Sequence, residues 1–157
     1  MISMYTKQIE FEVSHRAYPQ PRPKARRLPM GVHIYTPNSG KVKAWKDAVQ
    51  ESFSSAAGPD FVPIAGLVRL SADFILNRPV SMCGKKFSEE IIPHVSKPDI
   101  DNLLKSTLDA LSGYAWNDDS QVWFGECRKF FSAIELGGKS GRKRIPRCAI
   151  TKINIEY

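Results

Sequence analysis

Residues 67 to 76, LVRLSADFIL, place Val68, Leu70, Ala72, Phe74 and Leu76 at every second position. Strict alternation of this length predicts a β-strand with one apolar face on a core and one polar face turned away. The chain's last residues repeat the device: AITKINIEY sets Ala149, Thr151, Ile153, Ile155 and Tyr157 on one face. KQIEFEV at residues 7 to 13 sets Ile9, Phe11 and Val13 against Gln8, Glu10 and Glu12, a third half-buried strand. QVWFGECRKFF, from about Gln121 to Ser132, is rich in aromatic and β-favouring residues and predicts a long fourth strand. GVHIYTP, residues 31 to 37, predicts a short strand ending at Pro37.

Two stretches switch to the helical period. From about Gly40 to Ala57, Val42, Trp45, Val49 and Phe53 recur at spacings of three and four, with Lys41, Lys43 and Lys46 off the stripe. Asn38 or Ser39 can cap this helix, and Gly58 and Pro59 end it. A second helix carries Leu103, Leu104, Thr107, Leu108 and Leu111 and stops at Gly113. Between the helices, residues 77 to 96 are polar and rich in Pro and Gly, which predicts a loop. Strands interleaved with two helices define an α/β (α+β) fold, a mixed β-sheet packed by two main helices. At 157 residues, with no internal repeat, the chain reads as one compact domain spanning residues 1–157.

The charge balance narrows the partner. Lys and Arg outnumber Asp and Glu by 23 to 16, a net charge of +7 that favours a polyanion such as nucleic acid. The cations are concentrated. PQPRPKARR, residues 19 to 27, has three prolines that forbid a regular helix while Arg22, Lys24, Arg26 and Arg27 line an extended segment. GGKSGRKRIPR, residues 137 to 147, is a second basic loop with Lys139, Arg142, Lys143, Arg144 and Arg147. No apolar run approaches the roughly 20 residues that span a bilayer, so no membrane association and a cytoplasmic location are expected. Cys83, Cys127 and Cys148 are too scattered for a zinc or redox pair. His15, His33 and His94 likewise have no metal-ligand spacing and read as structural or exposed.

Within this basic chain, residues 97 to 122, KPDIDNLLKSTLDALSGYAWNDDSQV, collect five aspartates. Asp99 and Asp101 stand at the entrance of the second helix, and Asp118 and Asp119 precede a strand. Carboxylates are the ligands hard cations prefer, and Mg²⁺ needs only a few when a substrate supplies phosphate oxygens. Lys105, at i+4 from Asp101, shares its helical face. A strand starting near Asp119 would bring a third carboxylate alongside if it packs beside the helix's N-terminal end. Each residue also has a plainer use: Asp101 or Asn102 as helix cap, Asp99 at a positive helix end, Asp118 and Asp119 as a turn. Asp109 lies about 12 Å along the helix from Asp101 at 1.5 Å per residue and reads as a surface charge. The two-aspartate spacing alone also occurs in phosphatases and sugar-nucleotide transferases.

KPDIDNLLKSTLDAL followed by Trp116, Asp118–Asp119 and Gln121–Val122 resembles the signature of the RusA family of Holliday junction resolvases. PRPKARR with the later Tyr35–Pro37 resembles that family's basic segment, so the likeness spans much of the chain. The resemblance implies three metal-binding aspartates at Asp99, Asp101 and Asp119, an essential lysine at Lys105, and one or two Mg²⁺ ions. It implies a homodimer acting on branched DNA, the four-way junction, by paired phosphodiester hydrolysis during recombination and repair. The basic segments at Arg22, Lys24, Arg26 and Arg27 and at Lys139, Arg142, Lys143 and Arg144 would then hold the DNA backbone. Two other readings stand beside it: a non-catalytic basic DNA-binding protein whose aspartates are caps and turns, and a metal-dependent phosphoryl hydrolase of small substrates.

Overall fold

In chain order the elements are β1 (Gln8–Val13), β2 (Lys24–Leu28), β3 (Gly31–Tyr35), α1 (Ser39–Ala57), β4 (Val68–Leu76) and β5 (Ile92–Pro93). They continue with α2 (Ile100–Leu111), β6 (Val122–Phe131), β7 (Ile134–Gly137), β8 (Lys143–Pro146) and β9 (Ile150–Glu156). The computed structural model describes residues 7–137 and 143–157.

Strand β4 buries every second residue, as its alternation predicts, and sits at the centre of a five-stranded sheet ordered β1-β9-β4-β6-β5. β1–β9, β9–β4 and β5–β6 pair antiparallel, and β4–β6 pair parallel. Two parallel neighbours need a crossover connection, and α2 belongs to it. The sheet is therefore mixed, and two helices pack it, as the sequence indicates.

Both helices contribute to one core. Trp45, Val49 and Phe53 of α1 are buried together with Leu103, Ala110 and Leu111 of α2 and Leu70, Ala72 and Phe74 of β4. Asp109 is no free surface charge: Lys46 of α1 reaches it at 3.2 Å, and Gln50 Nε2 donates to the carbonyl of Ala110 at 2.9 Å. These polar contacts lock the two helices side by side.

The opposite face of the sheet is lined with charge. Glu12, Lys152, Asp73 and Arg128 are successive cross-strand partners over β1, β9, β4 and β6. Arg128 grips Asp73 through Nε and Nη2, at 2.7 and 2.8 Å, and Lys152 meets Glu12 at 3.2 Å. The signs alternate along the row, so the polar face is self-neutralising.

Sequence and structure part at three places. The prolines of PQPRPKARR end at Pro23, and Lys24–Leu28 pairs antiparallel with Gly31–Tyr35 in a β-hairpin. Part of the second basic loop is strand, with Lys143–Pro146 pairing antiparallel with Ile134–Gly137. The stretch from residue 77 to 96 folds around buried Arg78, whose guanidinium donates to the carbonyls of Ser88 (2.6 Å) and Glu90. A buried guanidinium needs several acceptors, and backbone carbonyls of its own loop supply them.

Candidate active site

The entrance to α2 is fastened to the sheet from below. Lys129 of β6 donates to the carbonyls of Ser96 at 2.5 Å and Pro98 at 2.6 Å. His94 is buried against Phe131, ring centroids 4.0 Å apart, and its Nδ1 accepts from the Ser96 amide at 3.3 Å. The backbone leading to Asp99 is thus held at several points before the helix begins.

Asp99, rather than Asp101 or Asn102, is the N-cap residue of α2. It caps through its backbone: the Asp99 carbonyl accepts from the Leu103 amide at 3.2 Å, and its side chain makes no cap hydrogen bond. The carboxylate remains available at the positive end of the helix, where negative charge is favoured. Asp101 lies in the first turn and Lys105 one turn later, and all three side chains are exposed. No described side chain forms an ion pair with Asp99, Asp101 or Lys105.

Asp101 lies close enough to β6 for its charge to act on Cys127. Burial pushes the Cys127 thiol above its ordinary pKa, and the negative charges of Asp101 and Glu126 push it further in the same direction. Farther along the helix, Leu104 lies against Gly125, where an added Cβ would meet its methyl at 3.7 Å. Helix and strand therefore run in opposite directions, with the start of α2 beside the later half of β6.

This polarity decides the place of Asp119. It lies in a 3-10 turn, Asp119–Gln121, just ahead of β6, and its Oδ1 accepts from Trp116 Nε1 at 2.9 Å. Trp116 is buried and bridges to Ser112, immediately after the end of α2. Asp119 is therefore tied to the C-terminal end of α2, whose last residue, Leu111, lies roughly 15 Å of helical rise beyond Asp101 at 1.5 Å per residue. The expectation that its strand would begin beside the helix's N-terminal end is not met. Among the described residues, no group of three His, Cys, Asp or Glu side chains is drawn together closely enough to hold a metal ion.

Asp118 has a structural task. Its Oδ1 accepts from the Ser120 amide at 2.8 Å, and Gln121 Oε1 accepts from the Asp118 amide at 2.9 Å, a complete capping box. Those hydrogen bonds from Ser120 lower its pKa below the ordinary carboxylate value. Gln121 Nε2 also donates to the carbonyls of Ile64 and Gly66, anchoring the turn to the preceding loop.

Beside Asp99 opens a cleft of about 560 Å³ bounded by Arg16, Arg22, Lys97, Asp99 and Asn102. Its wall is the segment before β2, tied to α2 by the Gln20 amide on the Asn102 carbonyl at 2.9 Å and by Ser106 Oγ on the Tyr18 carbonyl at 2.6 Å. Arg16 lies 5.5 Å from the centre of the Tyr18 ring, which keeps its charge at the cleft. Arg16 and Lys97 escaped the motif reading. For Arg16 the signal lies in what is missing nearby: residues 13 to 46 contain eight Lys or Arg and no Asp or Glu.

Of the sequence-predicted DNA contacts, Arg22 joins this cleft, and Lys24, Arg26 and Arg27 lie on the exposed β2 strand. Lys143 and Arg144 belong to β8, whose hairpin leaves the sheet after β6, at the same end as the start of α2. Lys139 and Arg142 lie outside the described residues.

A mixed α+β domain that presents free carboxylates at a helix start, beside a cationic cleft suited to phosphates, has the layout of a phosphodiester-processing protein. The family profile described as "Endodeoxyribonuclease RusA" matches residues 15–136. The chain belongs to the RusA endodeoxyribonuclease family. It is also 30% identical over 129 residues to "Uncharacterized protein YqaN" of Bacillus subtilis (strain 168), covering 79% of this chain and 88% of that protein. No helix among the described residues is long and apolar enough to cross a membrane.

Proposed function

We propose that the protein is a Mg²⁺-dependent, structure-selective endonuclease that resolves four-way DNA junctions by paired phosphodiester hydrolysis, as a homodimer serving recombination and repair. The observation that carries this reading is the pair of unpartnered carboxylates, Asp99 and Asp101, next to a cleft bounded by Arg16, Arg22 and Lys97.

The donor chemistry fits a hard cation. Mg²⁺ is commonly held by one or two carboxylates together with waters and substrate phosphate oxygens, so Asp99 and Asp101 can hold it without a closed cage. When bound, Mg²⁺ supplies a lowered pKa for the attacking water and charge stabilisation for the phosphate. The chain's own groups do the rest. Arg16, Arg22 and Lys97 position the strand through its phosphates, and Lys105 offsets the negative charge gathered at the helix start. Lys129 and His94 keep the helix entrance in place.

Asp119 is anchored by Trp116 near the C-terminal end of α2, whereas Asp101 lies in its first turn. In this proposal it serves the site of a second copy across a two-fold axis, which gives the homodimer a chemical reason as well as a geometric one. The test is a synthetic mobile four-way junction incubated with and without Mg²⁺. Paired, symmetric nicks that require the metal support the proposal. Binding without cutting under any divalent ion would return the protein to the class of non-catalytic DNA binders.

A further inference from the structure

The β2–β3 hairpin has no role in the fold that its composition explains. Every residue of both strands is exposed. An isolated two-stranded hairpin is marginal in water, so a projecting one is built to meet something.

Cross-strand partners share a face. Lys24 opposite Tyr35 and Arg26 opposite His33 give one face that is cationic and aromatic, with the His33 and Tyr35 rings stacked at 6.1 Å. Ala25 opposite Ile34 and Arg27 opposite Val32 give the other. The tip is different in kind. Leu28-Pro29-Met30-Gly31 makes the turn, with Gly31 at φ 142°, a value that favours glycine. Around this turn Leu28 is 45% exposed, Val32 64%, and Met30 100%.

We propose that this hairpin is a junction wedge: its cationic stem lies along DNA phosphates, and its apolar tip, Leu28, Met30 and Val32, inserts at the branch point against unstacked bases. The proposal rests on the junction-resolving reading above. Five residues per strand give a stem of roughly 17 Å, and a two-stranded ribbon fits a B-DNA major groove roughly 12 Å wide. Apolar side chains that enter a base step must break stacking, and that cost is least where stacking is already interrupted, as at a branch point. Charge selects DNA over a second copy as the occupant. The hairpin lies within residues 13 to 46, which hold eight cations and no carboxylate, so two hairpins face to face would repel.

The experiment uses the wild-type protein in EDTA with an uncut synthetic junction carrying 2-aminopurine at the branch point or within an arm. The branch-point probe should brighten on binding and the arm probe should not. In a Leu28→Ser/Met30→Ser double variant the brightening should disappear while the salt dependence of binding, set by the cationic stem, stays close to wild type. Lys24→Ala/Arg26→Ala should instead weaken binding and flatten the salt dependence. All four positions lie on the exposed hairpin, and thermal melts establish that the variants fold. Junction binding and cleavage by wild type with no branch-point signal, or a signal surviving in the double variant, overturns the wedge while leaving the endonuclease reading intact. A double variant that sediments as a monomer where wild type is a dimer shows that the tip is a subunit contact, and also overturns it. Failure of wild type to bind junctions overturns both readings.

Discussion

Lys129 of β6 donates its ammonium to the carbonyl of Pro98 at 2.6 Å, one residue ahead of Asp99. The same ammonium holds the carbonyl of Ser96, so one side chain of the sheet fixes the backbone that presents the first carboxylate. Charge-assisted hydrogen bonds of this kind contribute about 1.5 to 3 kcal/mol when partly shielded. Lys129→Met keeps the aliphatic stem and removes the donor. We expect a stability loss of about 1 to 2 kcal/mol by urea titration. Junction cleavage should fall far more than junction affinity, and equal losses in both would show that the clamp serves binding instead.

Trp116 orients Asp119 in the same way at the other end of α2. Trp116→Phe retains most of the buried ring and deletes the 2.9 Å hydrogen bond to Oδ1. Groups that orient a metal's carboxylate are commonly worth roughly 10- to 100-fold in metal affinity. The Mg²⁺ concentration for half-maximal cleavage should therefore rise within that range, while melting temperature changes little. An unaltered Mg²⁺ requirement would remove Asp119 from the metal site.

His94 provides a pH handle. Its pKa is lowered below the ordinary value of 6.5, first by burial and then by the positive charge of Lys129. The unfolded chain thus takes up a proton at higher pH than the folded chain, and stability rises with pH through the window just below 6.5. His94's contribution is complete above that value and is lost as the pH falls toward the folded pKa. His94→Gln should flatten this part of the stability profile between mildly acidic and neutral pH. An unchanged slope in denaturant titrations would assign the dependence to other groups.

The arginines of the cleft predict a salt signature. Each phosphate contact contributes close to one unit to the slope of log affinity against log salt, so Arg16→Ala and Arg22→Ala should each lower that slope by about 1. Arg147→Ala, whose guanidinium is drawn toward Glu135 at 3.5 Å, serves as the comparison and should change it less.

Asp101 and Asp119 can be tested together by mixing. If the proposed site takes Asp101 from one chain and Asp119 from the other, Asp101→Asn and Asp119→Asn proteins are inactive alone and regain activity when exchanged into mixed dimers. Random exchange makes half the dimers mixed, each with one intact site, so about a quarter of wild-type nicking should return. Mixtures that stay inactive after subunit exchange would contradict a site shared between two chains.

The alternation in β1, β4 and β9 and the apolar stripes of both helices were legible because each element's burial is written in its own period. The placement of Asp99, Asp101 and Lys105 at the start of α2 was legible for the same reason: they lie within about two turns of a single helix. What could not be read depends on partners distant in sequence. Asp109 meets Lys46 across 63 positions, and Arg78 satisfies its guanidinium with carbonyls of a loop that looks shapeless in composition. The direction of β6 against α2, which separates Asp119 from Asp101, follows from the β4–β6 crossover and has no local sequence mark. The β2–β3 hairpin was half hidden, because prolines up to Pro23 mask a strand that starts at the next residue.

The central claim is that the Asp99–Asp101 helix entrance is the catalytic centre of a junction-cutting enzyme. The measurement that tests it most directly is Mg²⁺-dependent cleavage of a four-way junction by Asp101→Asn, with junction affinity measured on the same preparation. Cleavage should be abolished, by at least about a thousandfold in rate, while affinity stays near wild type. An Asp101→Asn protein that cuts the junction at the wild-type rate would contradict that claim.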